Sequence, residues 1–106
     1  MAPERRQDLR VKNWFDGSWQ GSSGSSRCRL SDVSIAGCFV HSLAAPRVGE
    51  RTTVIIDLGP SHSISIESDV VYVEPTMGFG VKFQNVGAET LTQLQRLIDT
   101  HKKASA

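Results

Sequence analysis

The chain predicts a mainly β fold, an antiparallel sandwich or barrel of short strands followed by one helix. Three observations carry this. Apolar and polar residues alternate in short runs bounded by Gly, Pro and Asp, the signature of half-buried strands joined by turns. After Phe83 the apolar period lengthens to three and four residues, the helical repeat. With 106 residues, there is room for one domain and one modest core.

The elements follow in order. Residues 1–10 are polar and arginine-rich, with Pro3, and read as an extended flexible arm. Val11 to Phe15 reads as a first strand ending at Asp16-Gly17, a dipeptide that favours turns. Residues 16–26, DGSWQGSSGSS, are rich in glycine and serine and read as a mobile loop. Arg27 to Asp32 and Cys38 to Ser42 read as the next strands. Thr52 to Leu58 places Val54, Ile56 and Leu58 on one phase, and Gly59-Pro60 turns the chain. Ser63 to Glu67 points Ile64 and Ile66 inward. The strand continues through Val70, Val71, Tyr72 and Val73, where alternation breaks and a bulge is expected, and Pro75 ends it. Met77 to Phe83 is the last strand, with Gly78 and Gly80 marking close backbone approach. A helix from Ala88 to His101 carries Leu91, Leu94, Leu97 and Ile98 on one stripe, which is expected to cover one end of the sheet. Glu89 in its first turn and Lys102 and Lys103 beyond it suit the helix dipole. The resulting division is an arm at 1–10, a barrel with its helix at 11–101 and a disordered tail at 102–106.

Composition narrows the function. The chain is 39% hydrophobic and 22% charged, with a net charge of +1, an ordinary globular balance with no overall pull toward nucleic acid or membrane. No stretch approaches the roughly 20 apolar residues of a membrane span, and the polar start with Glu4 does not resemble a secretory signal, so a cytoplasmic protein is expected. Cys28 and Cys38 form no CxxC pair and read as small buried hydrophobes in a reducing compartment. His41, His62 and His101 show no metal-ligand spacing with them. Ser34 has no histidine base in a nucleophile pattern, and no phosphate-cradling glycine loop is present. No cofactor, no metal and no enzymatic activity are expected.

Two short motifs stand out. Arg6-Gln7-Asp8-Leu9-Arg10 is RxxxR, and Asp32-Val33-Ser34-Ile35-Ala36-Gly37 is DxSxxG. Guanidinium groups grip phosphate through paired charge-assisted bonds and stack on flat rings. A carboxylate accepts two adjacent N–H donors, as on a guanine edge, and a serine hydroxyl donates or accepts. A glycine lets backbone and ligand come close. Each motif alone also fits a plain role, a solvated basic tail for the first and turn hydrogen bonds for the second.

In combination they are more specific. An arginine arm, a spacer of about twenty residues, Asp-x-Ser-x-x-Gly between two strands, further strands, the run Gly78-Phe79-Gly80-Val81-Lys82-Phe83 and a closing helix resemble the PilZ domain, over residues 4–98. That resemblance implies a six-stranded antiparallel β-barrel with a C-terminal helix and a bacterial receptor for cyclic di-GMP. Arg6 and Arg10 would embrace the phosphates and stack on guanine, while Asp32, Ser34 and Gly37 would surround a guanine base. Arg5, just before the pair, would favour a stacked pair of ligands over a single one. The arm is expected to be disordered without ligand and to wrap on binding, since ordering it costs about 1–2 kcal/mol per residue.

The sequence departs from the family where a clearly alternating strand is usual between the motifs. Trp14, Phe15 and Trp19 stand instead in polar, glycine- and serine-rich sequence. The tryptophans are expected to pack on the barrel rim, or one of them to stack near the ligand. Motility, biofilm and polysaccharide outputs all fit a receptor that signals to an unidentified protein partner. The alternative is a PilZ-like protein–protein adaptor that does not bind nucleotide, against which the intact motif pair argues. A barrel for single-stranded nucleic acid needs a basic groove with stacking aromatics; near-neutral charge with two tryptophans, one tyrosine and four phenylalanines argues against it.

Overall fold

The computed structural model describes residues 14–44 and 46–105. Arg5, Arg6 and Arg10, the arm that carries them and the expected strand positions 11–13 lie outside the described residues. Six strands, β1 (Phe15–Gly21), β2 (Gly24–Ser31), β3 (Gly37–His41), β4 (Arg51–Gly59), β5 (His62–Glu74) and β6 (Gly78–Phe83), precede a helix, α1 (Ala88–Ser105). Their spatial order is β1-β2-β3-β6-β5-β4. All pairs are antiparallel, and β4 returns to pair with β1. The sheet therefore closes into the expected six-stranded barrel and leaves no free edge.

Alternation decides what fills it. On β4 and β5, Val54, Ile56, Ile64, Ile66 and Val70 point inward and are buried. Phe79, Val81 and Phe83 do the same from β6. Leu94 and Ile98 of α1 join this core, with Leu97 packed against it, so the helical stripe covers the barrel as expected, while Leu91 stays exposed. The helix passes His101 and continues through Ser105. Positions 102–105, assigned above to a tail, are helical because Lys102, Lys103 and Ala104 favour helix and no Gly or Pro stops it.

The segment 16–26 differs from expectation. It is no loop but the body of the β1–β2 hairpin, paired from Phe15↔Leu30 to Gly21↔Gly24 around a tight turn at Ser22-Ser23. Asp16-Gly17 is strand, not turn. Phe15, Gly17 and Trp19 form its inward set, and glycine stands at the centre because a Cβ on Gly17 would run into the Ile55 carbonyl oxygen of β4. Trp19 lies in the core rather than on the rim or near a ligand. It is 1% exposed and meets Phe79 edge-on at 5.3 Å and 84°, a favoured aromatic geometry. Truncating a side chain so placed costs about 3–5 kcal/mol, so this strand is anchored by two large aromatics, Phe15 and Trp19, instead of several aliphatic residues. At its tip, the Ser23 N–H and hydroxyl donate to Glu50 Oε2 at 3.0 and 2.9 Å, and the Arg47 N–H donates to Glu50 Oε1 at 3.2 Å. One carboxylate thus ties the hairpin to the loop before β4.

Candidate nucleotide-binding cleft

The Asp32–Gly37 loop connects β2 to β3, and its shape is set by its own residues. Asp32 adopts a left-handed backbone with φ 52, which Asp tolerates better than most residues. Ser34 is 2% exposed. Its Oγ accepts the N–H groups of Ala36 at 3.0 Å and Gly37 at 3.2 Å, and its own N–H donates to the Gly37 carbonyl at 2.9 Å. This serine is spent on holding the turn, a common use of a hydroxyl. Gly37 is required by the fold as well, since a Cβ there would collide with the Val81 carbonyl oxygen on β6. The Phe83 N–H donates to the Ala36 carbonyl at 2.8 Å and ties the loop to the end of β6. Of the motif, only the half-buried Asp32 keeps its carboxylate without a side-chain hydrogen bond among the described residues.

Asp32, Ser34 and Gly37 come together along one side of a cleft of about 220 Å³. Val71, Tyr72, Gly80 and Lys82 line it from β5 and β6. Pockets that enclose a drug-sized ligand measure roughly 300–1,000 Å³, so this cleft accommodates part of a large ligand. Lys82 supplies a cation. Its cross-strand neighbour Asp69 is bonded to Arg51 Nε at 2.6 Å, and Lys82 has no carboxylate partner among the described residues.

The far wall exists because of the bulge. Val70 pairs with Val81 but Tyr72 pairs with Gly80, so Val71 is one residue extra. Even-numbered positions of β5 face inward up to Val70. The extra residue reverses the phase, turning Val71 and Tyr72 outward at 46% and 47% exposure. Sequence reasoning located the break but not its use: Val71, Tyr72 and Lys82 were not among the expected site residues. The signals were the failed alternation at 70–73 and the Gly-x-Gly of β6.

Beside the cleft runs a row of rings on the outer face of β3. Tyr72 lies 6.1 Å from Phe39, Phe39 lies 4.7 Å from His41, and His41 lies 4.4 Å from Trp14. His41 Nε2 shares a hydrogen bond of 2.7 Å with Ser31 Oγ. Burial pulls its imidazole below the ordinary value of 6.5, partly opposed by the Asp32 charge, so the ring is mainly neutral at pH 7. Trp14 is 55% exposed. Burial raises both thiols, Cys28 to about 11 and Cys38 further. Both cysteines are free, Cys38 buried and Cys28 half-buried, so neither is poised as a nucleophile. Among the described residues no group of three or more His, Cys, Asp or Glu is placed to hold a metal ion, and no helix is long and apolar enough to cross a membrane.

Comparison with solved structures finds the same fold in the Bacillus subtilis inhibitor of motility MotI/DgrA, with 20% identity and a TM-score of 0.73, covering 94% of this chain and 52% of that one. Escherichia coli YcgR in complex with c-di-GMP matches at 21% identity and a TM-score of 0.75, covering 95% of this chain and 47% of that one. The PilZ domain of E. coli YcgR with c-di-GMP matches at 19% identity and a TM-score of 0.71, covering 95% and 94%. The chain thus spans about half the length of the first two proteins. No curated protein matches the sequence. The model of the PilZ domain matches residues 4–100, nearly the whole length, including both motifs, the barrel and most of the helix. The chain belongs to the PilZ domain family.

Proposed function

We propose that this chain is a non-enzymatic receptor for cyclic di-GMP. The observation that carries the reading is the cleft itself: an acceptor-only carboxylate at Asp32, an aromatic ring at Tyr72 and a cation at Lys82 converge on a space that suits one base. Ser34 and Gly37 shape the loop that presents Asp32. Family membership and the cyclic di-GMP complexes of E. coli YcgR support the same ligand.

Arg6 and Arg10 hold the phosphates in this reading, and Arg5 admits a second, stacked ligand. Trp14 packs on His41 of β3, the strand that borders the cleft. The four residues from Arg10 to Trp14 span at most about 14 Å when extended. Micromolar affinity needs about 8 kcal/mol, and four or five charge-assisted bonds at about 1.5–3 kcal/mol each supply it after offsetting the ordering of the arm. Closure of the arm over the ligand then changes the surface that a protein partner reads.

Titration calorimetry with cyclic di-GMP tests this. The wild type is expected to bind two ligands per chain. Asp32→Asn and Arg10→Ala are each expected to weaken binding by at least about 2 kcal/mol through loss of a charged partner. One ligand per chain refutes the stacked pair. No heat and no change in melting temperature with the wild type refutes the receptor and leaves the nucleotide-independent adaptor.

A further inference from the structure

We propose that Tyr72 is the stacking platform of this cleft, and that Gly80 is the notch that holds its ring in position. The proposal rests on the receptor reading and gives specific roles to two residues that lie in neither the arginine nor the Asp-Ser-Gly motif.

Three features of the barrel converge on this pair. The bulge at Val71 brings Tyr72 to the outer face, where unbroken alternation would have sent it into the core. β-bulges serve to re-aim side chains next to sites. Phe39, Gly80 and Tyr72 then lie in one cross-strand row over β3, β6 and β5. The missing side chain at Gly80 leaves a hollow that the tyrosine ring fills: a Cβ there would run into three ring carbons of Tyr72. Finally, Phe39 neighbours the ring along that row at 6.1 Å and 33°. Phe39 is 8% exposed although it stands outside the core cluster, so it is covered on the barrel's outer surface by its ring neighbours.

The result is an aromatic ring fixed in the notch, 47% exposed, lining the same cleft as Asp32. A rigid flat apolar face beside an acceptor-only carboxylate suits a purine that offers N–H donors on its edge and a π-face to the ring. An aromatic held in place before binding loses little rotamer freedom when the base arrives.

The chain contains one tyrosine, so a sample labelled at the tyrosine ε carbons gives a single assignable NMR signal. Saturating cyclic di-GMP is expected to move it upfield through the ring current of the stacked base. In calorimetry, Tyr72→Phe is expected to bind within about twofold of wild type, and Tyr72→Leu about tenfold or more weaker, the range of base–aromatic stacking. Gly80→Ala is expected to weaken binding, because the added methyl meets three carbons of the Tyr72 ring and pushes it out of the notch. The double variant Tyr72→Leu/Gly80→Ala is expected to bind no worse than Tyr72→Leu alone, since both act through one ring. An unmoved tyrosine signal at saturation, or wild-type affinity in Tyr72→Leu while Asp32→Asn fails to bind, overturns the platform and leaves the receptor standing. Absence of binding by the wild type overturns both.

Discussion

Replacing Ser34 with alanine separates two roles that the DxSxxG motif confounds. The Ser34 hydroxyl accepts two backbone N–H groups, from Ala36 at 3.0 Å and Gly37 at 3.2 Å, and is 2% exposed. Its removal leaves both donors without that acceptor. A buried donor left unpaired costs about 1–3 kcal/mol, but Ala36 is exposed and Gly37 half-buried, so water relieves part of the loss. About 1–2 kcal/mol is therefore expected. In a domain of this size 1 kcal/mol moves the melting temperature by about 4–8 °C, so Ser34→Ala should melt about 5–15 °C below wild type. Amide hydrogen exchange should accelerate at Ala36 and Gly37. Asp32→Asn is the contrasting variant. Asparagine tolerates the left-handed backbone, and the Asp32 carboxylate makes no side-chain hydrogen bond among the described residues, so its melting temperature should stay near wild type while cyclic di-GMP binding falls. If Ser34→Ala melts like wild type with both amides still protected, the turn does not depend on the hydroxyl. Any loss of binding then means that Ser34 touches the ligand directly.

Two further outcomes follow from polar groups around the barrel. Burial pushes the Glu50 carboxyl up, but hydrogen bonds from Arg47, Ser23 and Ser22 outweigh it and hold the group below its ordinary value of 4.5. Its stabilising contribution is complete above about pH 4.5 and fades as pH falls through the lower folded value; Glu50→Gln should therefore lower the denaturation midpoint at pH 7 and lose that difference in acid, and a pH-independent gap between the two proteins would contradict the tie. Thr52 is 1% exposed with its hydroxyl unpaired among the described residues, so Thr52→Val, nearly the same shape without the polar group, should raise stability by about 1 kcal/mol in urea unfolding, and a lowered midpoint would show that the hydroxyl has a partner.

The local chemistry of this chain was legible in residues alone. Strict alternation on β4 and β5 gave strands because period two is what a half-buried sheet imposes. The three- and four-residue spacing of Leu94, Leu97 and Ile98 likewise specified a helix that covers the core. The break at Val70–Val73 announced a bulge, and the order of the two motifs with the last strand identified the family. Where glycine replaced an apolar residue, that reading failed. Gly17 looks like a turn in sequence, yet it is a strand residue pressed against the Ile55 carbonyl of another strand, and a contact between residues so far apart along the chain leaves no local trace. The same reason hid Tyr72. Its outward aim depends on one extra residue in β5, its support on Phe39 of β3 and its seat on Gly80 of β6. Sequence by itself determined the strand and helix periods and set out the residues of two motifs whose chemistry suits phosphates and a base. Barrel closure decided which of them share a cleft, because cross-strand neighbours are set by register, and register belongs to the whole sheet.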